Sequence, residues 1–122
     1  MNRRMDSLND DVMALTELAD LLSLLGNSDR LRILQELRGG PRDVASLVLA
    51  VGTSQSRTSQ HLGLLKAHHL VSSRRDGRKV FYALRNARLA EWMFGGFDFL
   101  DTGSTHGAPL DASIKALRKR YG

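Results

Sequence analysis

The chain has 122 residues, 42% of them hydrophobic and 25% charged, and no cysteine, so a single domain of ordinary soluble composition is expected and disulfides, thiolate metal sites and thiol redox sensing are excluded. The net charge of +5 is unevenly placed: residues 1–29 hold Arg3 and Arg4 against Asp6, Asp10, Asp11, Glu17, Asp20 and Asp29, whereas residues 54–88 hold Arg57, Lys66, Arg74, Arg75, Arg78, Lys79, Arg85 and Arg88 against Asp76 alone. Such a basic segment selects a polyanion, and with no apolar run near the roughly 20 residues of a membrane span and no signal-like apolar start, nucleic acid in the cytoplasm is expected rather than a membrane.

Taken in order, Leu8, Val12, Leu15, Leu18, Ala19, Leu22 and Leu25 recur every three or four residues and predict a first amphipathic helix over residues 8–25. Leu21 and Leu24 widen its apolar stripe, so it is expected to face both its own domain and a second subunit. Gly26 ends it. Asn27 caps a second helix through residue 38, with Leu31, Ile33, Leu34 and Leu37 inward, and Gly39, Gly40 and Pro41 stop it. A third helix over residues 42–51 turns Val44, Leu47, Val48 and Val51 inward before Gly52 redirects the chain.

Ser54 is a good N-cap for a fourth helix over residues 55–68. Thr58, Leu62 and Leu65 fall on one face of it, Arg57, Gln60 and Leu64 opposite, and Ser56 and His61 on the flanks. The second face is mostly polar and holds no carboxylate, which suits base edges or phosphates in a major groove. Two helices joined only through Gly52, Thr53 and Ser54 form a helix-turn-helix. Two strand-like runs then flank Asp76-Gly77, which predicts a two-stranded wing closed by a type I′ turn. Its tip gathers Arg74, Arg75, Arg78 and Lys79, like charges that repel across a hairpin until a phosphate backbone relieves them.

LADLLSLLGNSDRLRILQELRGG followed by DVASLVLAVGTSQSRTSQHLGLLKAHHLVSSRRDGRKVFYAL resembles the ArsR/SmtB family of winged-helix transcriptional regulators over residues 18–84, most recognisably in GNSDRLRIL, TSQSRTSQHLGLL and GRKVFYAL. The resemblance implies a mainly α fold of five or six helices with a two-stranded antiparallel wing, assembled as a homodimer that binds an imperfect palindromic operator in double-stranded DNA, represses transcription and releases on an effector. By position it implies Gln55, Ser56, Arg57, Ser59, Gln60 and His61 as groove-facing residues and Arg74, Arg75, Arg78 and Lys79 as wing contacts. Structural roles compete at three of these: Ser59 as a small packing residue, Gln55 through its backbone amide alone, and His61 as a satisfied histidine. Where the family has glycine after the recognition helix this chain has His69, at a position suited to a left-handed cap.

The resemblance also places metal ligands as third-helix cysteines or a histidine-carboxylate pattern after the wing. Here the third-helix positions are Asp43 and Ala45, and NARLAEWMFGGFDFLD has no histidine, so no metal and no cofactor are expected at the familiar sites. Asp98, Asp101 and His106 are a makeshift set in a Gly/Ser/Thr-rich stretch that reads as solvated loop, and adjacent His68 and His69 point about 100° apart on a helix and do not easily share one ion. The same segment carries Trp92, Phe94, Phe97 and Phe99 beside Leu89 and Met93. The expected use is a dimer seam of Leu89, Trp92, Met93 and Phe97 against Leu15, Leu18 and Leu22, with an apolar effector pocket as the alternative, opened by Gly95 and Gly96. Residues 1–100 are expected to form the DNA-binding and dimerisation domain, and residues 101–122 a linker and a short basic helix or tail. No nucleophile, phosphate loop or triad is evident, so an enzyme is not expected. A winged-helix module that binds another protein is the rival to a DNA regulator.

Overall fold

The computed structural model describes residues 3–100 and 107–121. The order is α1 (Arg3–Leu25), α2 (Ser28–Glu36) running into a 3-10 turn (Leu37–Gly39), β1 (Arg42–Asp43), α3 (Val44–Val51), α4 (Gln55–Ala67), β2 (Val71–Asp76), β3 (Lys79–Leu84), α5 (Arg88–Gly95) with a second 3-10 turn (Gly96–Phe99), and α6 (Gly107–Tyr121). Both predicted caps form: the Asn27 side chain accepts from the Arg30 amide at 3.1 Å, and the Ser54 hydroxyl accepts from the Arg57 amide at 3.0 Å. Each satisfies an amide that the first helical turn leaves without a backbone partner.

The core joins α1, α2, α3, α4 and β2 through Leu24, Leu25, Ile33, Leu34, Leu37, Leu47, Val51, Leu62, Leu65 and Val71. The expected inward face of α4 is the one that is buried, Thr58 included. Only the C-terminal end of α1 enters this core, and its side chains from Arg3 to Asp20 are exposed. The helix also begins at Arg3, five residues earlier than its apolar repeat suggested, because the leading RRMDS carries helix propensity without apolar periodicity.

The sheet has three strands in the order β1-β3-β2, not two. Arg42 and Asp43 pair with Tyr82 and Phe81, so α3 starts two residues later than expected. Arg42 is held there by Glu36 and by the Ser46 hydroxyl, which accepts from Nε at 3.1 Å and Nη2 at 2.6 Å. A two-residue strand has no alternation to read, and it was therefore invisible in the sequence.

The wing's turn is also corrected. Asp76 pairs with Lys79, leaving Gly77 and Arg78 as the central residues, and of these only Gly77 has a positive φ, 62°. That is a type II′ turn, with glycine first, rather than the type I′ turn on Asp76-Gly77. It strains no side chain, and it sets Asp76 opposite Lys79, Arg75 opposite Val80 and Arg74 opposite Phe81. No two cations face one another, so the expected repulsion across the tip is absent from this register.

The predicted oddity at His69 is real. Its φ of 61° is the only positive value on a non-glycine residue among the described residues. The amides of His69 and Leu70 donate to Lys66 O and Leu65 O, both at 3.0 Å, which is the Schellman arrangement with histidine in the glycine position. A left-handed residue with a Cβ costs about 1–2 kcal/mol, and glycine's extra unfolded-state freedom returns part of that. His69→Gly is therefore expected to stabilise the fold by about 0.5–1 kcal/mol, read as a higher urea midpoint at constant m-value. A lower midpoint would mean that the imidazole's contacts outweigh the strain.

Candidate nucleic-acid interface

Gly52 turns α3 into α4 with a left-handed φ of 75°, its amide donating back to Val48 O at 3.0 Å. This turn sets α4 as the second helix of a helix-turn-helix. Thr58, Leu62 and Leu65 are fully buried on one side, and Gln55, Ser56, Arg57, Ser59 and Gln60 are exposed on the other. Ser59 therefore does not serve as a buried packing residue in this fold. Leu64 is partly exposed as well. With no acidic residue in α4, nothing on the helix opposes a phosphate.

His61 lies differently from its neighbours. Its side chain is only 14% exposed, with Nε2 3.8 Å from Asp29 Oδ2. Its Nδ1 lies 3.4 Å from Arg30 Nη1. Arginine can only donate, so Nδ1 is the acceptor in this contact. Arg30 in turn donates from Nε to Leu24 O at 2.6 Å. His61 thus fastens α4 to α2 and the end of α1. Sequence reasoning weighed this as the structural alternative, but Asp29 and Arg30 as its partners carried no local signal.

In the wing, Arg75, Arg78 and Lys79 are exposed. Arg74 is exposed too, but its guanidinium stacks over Phe81 at 4.8 Å and lies 3.8 Å from Asp76 Oδ2. It is the least free of the four. Lys66, not singled out from sequence, donates to the Ser73 hydroxyl at 2.7 Å and ties the end of α4 to β2. This bond links the basic helix to the basic wing.

The expected dimer residues separate into two groups. Leu15, Leu18, Leu22 and Trp92 are exposed in the single chain, whereas Leu89 and Met93 pack partly against the protomer's own core. Phe97 is half-buried, its ring 5.6 Å from that of Phe94. Phe99, 90% exposed, and Leu100 extend the apolar surface beyond the residues chosen from sequence. Of the makeshift metal set, Asp98 pairs with Arg118 at 2.9 Å, and Asp101 and His106 lie outside the described residues. No helix among the described residues is long and apolar enough to cross a membrane.

Residues 27–73, from the cap of α2 into β2, match the model of the family "Bacterial regulatory protein, arsR family". The HTH-type transcriptional regulator NmtR of Mycobacterium tuberculosis is 37% identical over 81 residues, which are 66% of this chain and 68% of that protein. The chain belongs to the arsR family. The nodulation protein NolR of Rhizobium meliloti is 45% identical over 65 residues, and that match spans about half of each protein, 53% of this chain and 53% of NolR. The homodimeric winged helix-turn-helix DNA-binding domain of Mb0332 from Mycobacterium bovis superposes with a TM-score of 0.64 at 31% identity, over 72% of this chain and 84% of that one. The three-stranded sheet and six helices are thus an arsR-family winged helix-turn-helix, and the chain is a DNA-binding transcriptional regulator of that family.

Proposed function

We propose that this arsR-family regulator acts in the cytoplasm as a homodimeric repressor on an imperfect palindrome, with one α4 entering each of two successive major grooves about 34 Å apart. The observation that carries the reading is the exposed, carboxylate-free row Gln55, Ser56, Arg57, Ser59 and Gln60 on a helix whose opposite face is fully buried. Arg57 and Gln60, both exposed and both long enough to reach into a groove, read base edges. Gln55 and Ser56 offer first-turn amides and short polar side chains to phosphate. His61 belongs to the same surface as a positioning residue, since its ring is engaged by α2. The wing's Arg75, Arg78 and Lys79 supply phosphate contacts, and Arg74 supports them from its stack on Phe81.

The second copy covers the exposed apolar row Leu15, Leu18 and Leu22 of α1 together with Trp92, Phe97 and Phe99. A single chain leaves this much apolar side chain in water only at a cost that pairing removes. A second reading is an apolar effector in the groove of about 580 Å3 lined by Leu22, Leu25, Leu31, Trp92, Met93 and Phe99. It is favoured by the open space around Gly95 and Gly96, where an added Cβ would meet nothing within 4 Å.

Gln60→Ala tests the specificity claim. It is expected to cost about 1–3 kcal/mol of discrimination at one base pair of each half-site while leaving affinity for random DNA nearly unchanged. Selection of bound sequences from a random pool measures this directly. An unaltered preferred site would remove Gln60 from base reading, and a protein that never enriched any sequence would favour the protein-binding rival.

A further inference from the structure

A cavity of about 500 Å3 lies behind the reading head, lined by Leu21 of α1, His69 at the end of α4, Asn86 after the wing, and Arg88, Glu91 and Trp92 of α5. Its volume is within the usual range for small-molecule sites. Arg88 and Glu91 stand about one turn apart on α5, where side chains are close enough to pair. They do not pair with each other, and neither side chain has another partner among the described residues. Among the described residues, two opposite charges without partners therefore line one cavity beside the apolar surfaces of Leu21 and Leu70.

His69 contributes a second, independent sign. It holds a left-handed conformation that glycine would hold without strain, and the side chain kept at that cost lines the cavity, with Nδ1 3.5 Å from Arg85 Nη1. Strain of this kind tends to persist where the side chain has work to do.

We propose that this cavity binds a small zwitterion with an apolar body, of which an α-amino acid is the simplest example. A simple anion would answer Arg88 but be repelled by Glu91, and a simple cation would meet the reverse. A zwitterion satisfies both, and its apolar body is covered by Leu21 and Leu70. His69 lies between α4 and β2 and Asn86 follows β3, so an occupant touches the joint between reading helix and wing, the end of the wing, and also α1 and α5. For its effect on transcription the inference rests on the DNA-binding reading above. A ligand that favours one arrangement of these elements changes DNA affinity by the same factor by which DNA changes its own.

The chain's only tryptophan, Trp92, lines the cavity and reports on it. The full chain is titrated without DNA, at a concentration where its oligomeric state is constant, with L-leucine and with L-phenylalanine while Trp92 emission is followed. The leucine analogues 4-methylpentanoate, which lacks the ammonium, and 3-methylbutylamine, which lacks the carboxylate, are the controls. Saturable binding of an amino acid is expected, with each leucine analogue weaker than L-leucine by about ten-fold or more, and Arg88→Gln and Glu91→Gln each expected to weaken amino-acid binding to a similar degree. His69→Gly is expected to weaken binding while raising stability, a combination that a purely structural histidine would not produce.

The proposal is overturned by the absence of a saturable change with either amino acid up to about 10 mM, by equal binding of L-leucine and its analogues, or by charge variants that bind normally. It is also overturned if Arg88→Gln or Glu91→Gln separates the subunits, which would assign those charges to the interface. Because DNA is absent from the titration, failure here is distinct from failure to bind a promoter.

Discussion

Arg75→Ala combined with Arg78→Ala is expected to weaken binding to every DNA fragment, cognate or random, by on the order of a hundred-fold near 0.15 M salt. Each phosphate contact releases condensed counterions and adds about 0.9 to the slope of log K against log salt, so a dimer losing four contacts should lose about 3–4 from that slope. Both side chains are exposed and neither is paired with a carboxylate among the described residues, so their removal leaves the hairpin's own contacts in place. Arg74 is left out deliberately, since deleting it would also remove the stack on Phe81 and confuse a charge effect with a packing one. The turn's positive φ belongs to Gly77 and the Asp76–Lys79 pairing involves neither substituted residue, so the type II′ turn is expected to persist in the variant. The measurement is a salt titration of binding to a specific and a random duplex. An unchanged slope would place the wing away from the DNA, and a loss confined to the specific duplex would make it a base reader instead.

Leu15→Glu combined with Leu22→Glu on α1 is expected to give monomers and to reduce operator affinity by about a hundred-fold or more. Leu15 is 64% and Leu22 49% exposed in the single chain, so neither supports the protomer's core and the monomer should keep its helix content. In a dimer the two carboxylates of each chain would enter an apolar seam without partners, at a cost of several kcal/mol per subunit pair. Two reading heads joined in one particle gain about 100- to 10,000-fold over one head alone, and this gain is what the variant loses. Sedimentation velocity gives the mass and circular dichroism the fold. A variant that remains dimeric would move the seam away from the middle of α1, and one that is monomeric yet binds the operator normally would sink the two-groove arrangement.

How much was legible in the sequence can be argued from particular residues. Asn27 and Ser54 were readable as caps because a cap is a bond between a side chain and an amide three residues away. The buried face of α4 was readable because Thr58, Leu62 and Leu65 repeat with the helical turn. The same locality failed at the wing, where Asp76-Gly77 and Gly77-Arg78 were both acceptable turns. The choice between them was made by cross-strand partners: Lys79 opposite Asp76, and Phe81 under Arg74. It was made again where β1 joined β3, because that pairing rests on Arg42 reaching Glu36 and Ser46.

His61 shows the same division within the reading helix. Its position on the flank of α4 follows from counting residues, but the direction of its ring follows from Asp29 and Arg30 on α2. The strain at His69 was foreseeable from a missing glycine, whereas its place in a cavity with Arg88 and Glu91 was not.

The sequence by itself determined which helix presents an exposed polar face without carboxylates, where that helix starts and which short segment carries the positive charge. Each of these depends on bonds, φ preferences and periodicities that span only a few residues. Tertiary structure alone decided the wing's register, the third strand, the orientation of His61 and the meeting in one cavity of Arg88 and Glu91, which have no partner among the described residues. Those outcomes depend on contacts between residues far apart in the chain, whose energies exist only once the helices and the sheet have packed.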